Sequence, residues 1–138
     1  MDSVSTLRLN LLRCGYLLLA AGIGTYMWPT LLTQGPRLDL MQGVELSLLC
    51  TLGLLSVLGL RYPLRMLPLL LFEMMWKSLW LLRIALPLWL DHRLTPDVME
   101  LVFACSIAVV FPFLVPWGYV VHFYLQAPGD RWWGKAQA

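Results

Sequence analysis

The sequence predicts an all-α polytopic membrane protein: an antiparallel bundle of four transmembrane helices with both termini in the cytoplasm. Three observations point there. Of 138 residues, 59% are hydrophobic and only 13% charged, against about 25% charged in an ordinary soluble domain. The charges gather at the edges of long apolar runs. Each of the four runs offers about 20 residues or more, enough to cross a hydrocarbon core of ~30 Å. A soluble domain of this size could not use so many leucines without exposing them, so residues 1–138 read as one membrane domain.

The first span is expected over about 9–28. Trp28-Pro29 closes it, because proline has no N–H to give the helix ladder. Arg8 and Arg13 before an apolar run invite comparison with a signal peptide. No small-residue cleavage site follows, and Arg13 directly before Cys14 argues against a lipoprotein, so the segment is kept as a mature span. Thr33-Gln34-Gly35-Pro36-Arg37 has turn composition. The second span covers about 40–60 and ends at Arg61-Tyr62-Pro63. The third covers about 64–90, with Pro68 in its first turns and Pro87 near its end. Asp91-His92-Arg93-Leu94-Thr95-Pro96 is a loop, and the fourth span covers about 97–125. Pro112 and Pro116 inside it each free a carbonyl and bend the axis, either as a packing kink or as a ligand-facing break. Residues 126–138 form a cytoplasmic tail.

Orientation follows from the basic residues near the span ends. Arg8, Arg13, Arg61, Arg65, Arg131 and Lys135 share one side, against Arg37 and Arg93 on the other, or three with Arg83 if it snorkels outward. The excess marks the cytoplasmic face. Trp28 and Trp89 would then sit at the outer interface. Tyr16, Tyr62, Tyr119 and Tyr124 would lie towards the inner one, with Trp132 and Trp133 on the inner headgroups. Small residues at close spacing, Ala20 and Gly24 in the first span and Gly53, Ser56 and Gly59 in the second, would let helices approach.

Several function classes drop out. The net charge is +2 and no Lys/Arg run tracks nucleic acid. Cys14, Cys50 and Cys105 lie in three different apolar runs without a C-x-x-C, as buried hydrophobes would. His92 falls in a loop and His122 at a span end; neither has a second histidine at helical spacing for haem or metal. No nucleotide-binding or hydrolase motif is present. No catalytic residue, metal site or cofactor is therefore assigned, and a non-enzymatic role is expected ahead of an enzymatic one.

Ionisable residues within the spans are the informative exceptions, because each costs about 2.5–3.5 kcal/mol at the bilayer centre on insertion scales. Glu73, Trp76, Lys77, Trp80 and Arg83 share one face of the third span at steps of three and four. The other faces are leucine and methionine. This polar and aromatic stripe is the candidate ligand-binding site. Glu73 before Lys77 at i, i+4 is the favourable order for an ion pair. Glu45 and Glu100, entering from the outer side, are candidate partners for Arg83. Two readings stay open: a paired structural charge that fixes helix rotation, or a polar pocket in which tryptophan beside charge receives a cation, a headgroup or a planar ligand.

The stretch Arg61-Tyr62-Pro63-Leu64-Arg65-Met66-Leu67-Pro68-Leu69-Leu70-Leu71-Phe72-Glu73, continuing to Trp76-Lys77, resembles uncharacterised small four-span bacterial membrane proteins. The tail Pro128-Gly129-Asp130-Arg131-Trp132 looks like their usual ending. The resemblance implies a bacterial inner membrane and no particular activity. Small multidrug exporters share four spans and a membrane glutamate, but theirs lies in the first helix, where this chain has none; the likeness is one of architecture. The expected function is thus the handling of a small molecule, lipid or ion through the third-span stripe, alone or as a homo-oligomer. The alternative is a non-catalytic accessory subunit of a larger membrane complex, and the third reading a membrane redox or quinone-linked enzyme. Membrane lipid is the expected partner and nucleic acid is not.

Overall fold

The structure, a computed structural model, describes residues 4–130 together with Trp132 and Trp133. Arg131 and Lys135, two of the six residues behind the expected orientation, lie outside the described residues, as does the end of the tail. Every regular element among the described residues is helical. Helix α1 is Thr6–Gln34 and α2 is Leu40–Arg61. Helix α3 covers 67–90 as Leu67–Trp80, a π turn Leu81–Ala85, and Leu86–Leu90. Helix α4 is Pro96–Leu114, and a short α5 covers 117–126. Helices α1, α2 and α4 are long and apolar enough to cross a membrane, which marks a membrane protein.

Prolines set most departures from the expected spans. Pro29 does not end α1, which continues to Gln34. Passing through proline forfeits one backbone bond and leaves the rest of the ladder intact, so proline bends a helix without having to end it. Pro87 denies the Arg83 carbonyl its N–H, and its ring crowds that carbonyl. The helix widens just before it, so that the Leu86 N–H reaches back five residues to Leu81. Pro112 does the reverse in α4. The Ala108 carbonyl, deprived of a donor at Pro112, takes the Phe111 N–H three residues on, and Ile107–Val110 tightens into a 3-10 turn. Pro116 ends α4: Val115 turns extended, so the single fourth span expected over 97–125 is two helices. The orphaned Pro112 carbonyl is met by the Trp117 indole at 2.8 Å.

Helix α1 packs along α2, and the pairs Tyr16–Gly59 and Ile23–Gly53 run in opposite directions, so the two are antiparallel. Gly53, Ser56 and Gly59 form the close-approach seam, as their spacing predicts. A Cβ on Gly53 would meet Ile23 at 2.7 Å, and one on Gly59 would overlap the Tyr16 ring. The expected seam residues of α1 differ. Gly24 has open space around it, while Gly15 lies against Leu114 and Phe111. The main core joins α1, α3 and α4 through Leu12, Tyr16, Leu19, Leu67, Leu70, Ala108, Phe111 and Val115. These residues lie towards the end of the molecule that carries Arg8, Arg13, Arg61 and Arg65. At the opposite end the Pro96–Ser106 part of α4 packs chiefly on the π turn of α3.

The loops at that opposite end are built for sharp turns. After α3, His92 adopts a left-handed φ of 54°. Its N–H bonds Trp89 and that of Arg93 bonds Leu88, satisfying two of the last helical carbonyls. Thr95 then caps α4 by accepting from the Val98 N–H, with Pro96 in the first helical position.

Candidate functional site

Glu73 is the most deeply placed charge, 1% exposed. Its Oε2 accepts from the Trp76 indole at 2.7 Å. Its Oε1 meets the Lys77 ammonium at 2.5 Å. The ammonium also lies 5.5 Å from the centre of the Trp76 ring. Both donors come from the glutamate's own helix, at i+3 and i+4, so the cluster assembles with the helix and does not tie one helix to another. Lys77 is 15% exposed, and its long stem lets the head lean outward while the carboxylate stays inside. A buried ion with both oxygens met is tolerable; one oxygen short, it is not. The sequence-predicted trio Glu73, Trp76 and Lys77 is thus one unit. Trp80 stands partly buried a turn further on.

Beyond Trp80 the predicted stripe does not hold together. Arg83 is exposed, as are Glu45 and Glu100. The one ion pair among the described residues is Glu73–Lys77, so Arg83 meets neither candidate carboxylate. The reason is the π turn, within which Arg83 falls. A wide turn adds one residue to the helix, rotating the residues beyond it by about 100° relative to a regular ladder. Three- and four-residue spacing across it no longer reports a shared face.

A second cluster is absent from the sequence reading. Arg8 and Arg13 enter that reading as topological markers and Tyr16 as an interfacial ring, yet all three hold backbone carbonyls of other elements. Arg13 Nε donates to the Leu60 carbonyl at 3.0 Å, capping the C-terminus of α2, and its Nη1 donates to Asn10 at 2.8 Å. Tyr16, fully buried rather than interfacial, donates to Pro63 O at 2.8 Å. Arg8 Nη2 reaches the Val115 carbonyl at 3.2 Å, at the break between α4 and α5. A positive side chain on the last carbonyls of a helix also suits the helix dipole. The available signal was spacing: residues 8, 13 and 16 fall within about two and a half turns of one helix.

Two grooves among the described residues bear on function. The larger, about 730 Å³, runs beside α2 from Leu40 to Leu55, between the end of α1 and the start of α3. Its walls are apolar, with Leu48, Leu52, Leu69 and Phe72 prominent. The hydroxyls that reach it are already satisfied within α2: Ser47 bonds Gly43 O at 2.7 Å and Thr51 bonds Ser47 O at 2.8 Å. The smaller, about 230 Å³, lies at the arginine-rich end between Leu9, Arg13 and the 62–65 turn. None of Glu73, Trp76, Lys77, Trp80 and Arg83 lines either groove.

Among the described residues no group of three or more His, Cys, Asp or Glu side chains is placed to hold a metal. Cys50 and Cys105 are buried, as the sequence implies, whereas Cys14 is exposed. No family model matches this chain, and no curated protein and no solved structure does either.

Proposed function

We propose that the chain is a four-span bacterial inner-membrane protein, with 67–90 as its third span and both termini cytoplasmic, that handles a lipid through the lateral groove beside α2. Of the expected cargoes, lipid fits best because of one observation: the 730 Å³ groove offers apolar walls and no unsatisfied polar group on Ser47 or Thr51. The one charged side chain on its lining, Asp39, stands exposed at the start of α2, and along the rest of α2 an ion or a polar solute finds no free side-chain partner. The α3 cluster, by contrast, has its carboxylate fully occupied by its own helix, which supports a structural role for it.

The groove follows α2 for about 22 Å at 1.5 Å per residue. One leaflet's share of the hydrocarbon core is about 15 Å. A tail lying in it would therefore pass the midplane, which favours a long-chain lipid.

The test uses photoactivatable probes in membranes containing the full-length protein, one with an ordinary acyl tail and one with a polyprenyl tail. Adducts on Leu48, Leu52 or Phe72, lost when Thr51→Trp fills the groove, are expected. Adducts spread evenly over the exposed leucines of α1, α2 and α4, or unchanged by Thr51→Trp, would overturn the lipid reading. A partner helix crosslinked to the same residues would favour the accessory-subunit reading instead.

A further inference from the structure

At the arginine-rich end the groove of about 230 Å³ has an apolar floor of Leu9, Pro63 and Leu64, with Arg13, Tyr62 and Arg65 around it. The guanidinium of Arg65 stands 5.7 Å from the centre of the Tyr62 ring, and that of Arg61 5.3 Å from the same ring. One aromatic ring thus stands within 6 Å of two planar cations, of which Arg65 lines the groove. Neither arginine has a carboxylate within ion-pair distance among the described residues. Arg13 spends Nε and Nη1 on Leu60 and Asn10, which leaves Nη2 for a further acceptor. The result is a small apolar notch with unneutralised forked donors at its mouth, set at the turn between two membrane helices.

We propose that this notch binds the phosphate of an anionic phospholipid. A phosphodiester offers paired oxygens to the guanidinium fork, a geometry that arginine matches and lysine does not. Leu9, Pro63 and Leu64 would take the glycerol end of the tails, which free phosphate lacks. Basic pockets between helices at the cytoplasmic leaflet suit such headgroups. The proposal rests on placing this end at the cytoplasmic face and is independent of the α2 groove. The headgroup decides one and the tail the other, so each can fail alone.

The experiment is native mass spectrometry of the full-length protein from nanodiscs holding equal phosphatidylglycerol and phosphatidylcholine. Retention of phosphatidylglycerol over phosphatidylcholine is expected. Arg65→Gln should cut that preference about five-fold, the effect of one basic residue near a charged membrane surface. Arg65→Lys should cut it less, and Arg37→Gln at the opposite end should leave it unchanged. Equal retention of the two lipids, an unchanged preference in Arg65→Gln, or an equal loss in Arg37→Gln would overturn the proposal. Inorganic phosphate displacing the lipid at millimolar concentration would overturn the lipid as the source of the phosphate. If Arg65→Gln does not fold, the wild-type preference must still weaken as salt rises, and a salt-independent preference would overturn the proposal.

Discussion

Removing Lys77 should harm this protein more than removing Glu73. The two are paired, but their surroundings are unequal: Lys77 is 15% exposed at its side chain and Glu73 is 2%. In Lys77→Met the carboxylate stays buried with only the Trp76 indole on one oxygen. Losing one partner of a buried pair typically costs about 3–5 kcal/mol. In Glu73→Gln the ammonium leans out along its stem, and the amide oxygen still accepts from Trp76. That loss should be about 1–3 kcal/mol, the worth of a hydrogen bond to a charged group. The double variant Glu73→Gln/Lys77→Met should recover most of the Lys77→Met loss. Thermal unfolding in detergent measures all four proteins. Equal losses in the two single variants, or a double variant no more stable than Lys77→Met, would refute the reasoning.

Three further outcomes test the packing. Gly59→Ala drives a methyl into the Tyr16 ring and should lower stability by about 1–3 kcal/mol, while Gly24→Ala, in open space, should be neutral or stabilising in the same melts. His92→Gly relieves a left-handed residue and should stabilise by roughly 0.5–1 kcal/mol; a lower melting temperature would mean that the imidazole has a role of its own. Arg13→Met uncaps Leu60 and should cost about 1.5–3 kcal/mol, whereas Arg61→Met, which makes no hydrogen bond among the described residues, should cost far less.

What the sequence reveals here depends on whether a helix stays regular. The Gly53-Ser56-Gly59 seam and the Glu73-Trp76-Lys77 cluster both lie within uninterrupted α-helix, where spacing of three and four reports one face. Both are found as their spacing predicts. Arg83 lies beyond that limit. Pro87 is visible in the sequence, but whether a proline is answered by a wider turn, a tighter turn or a break is not written in the proline. The chain shows all three, at Pro87, Pro112 and Pro116. The choice depends on which donor can reach the freed carbonyl, and that donor can be a remote side chain. Trp117 supplies it for Pro112.

The arginines show the converse. Counting Lys and Arg by side treats them as exposed topological markers, and Arg61 and Arg65 do remain free of acidic partners among the described residues. Arg8 and Arg13 combine that position with a structural task, because carbonyls at the end of α2 and at the α4 break need donors where water is scarce. A sequence count cannot divide the four, since the division depends on which helix end each side chain meets. The structure makes the division testable: Arg8 and Arg13 hold carbonyls, while Arg61 and Arg65 keep their charge available at the surface. Substitutions at Arg8 should therefore act mainly on the melting temperature, substitutions at Arg61 or Arg65 mainly on lipid preference, and substitutions at Arg13, which holds the Leu60 carbonyl and lines the notch, on both. Losses of both properties in equal measure at all four positions would show that the arginine-rich end is one undivided cluster.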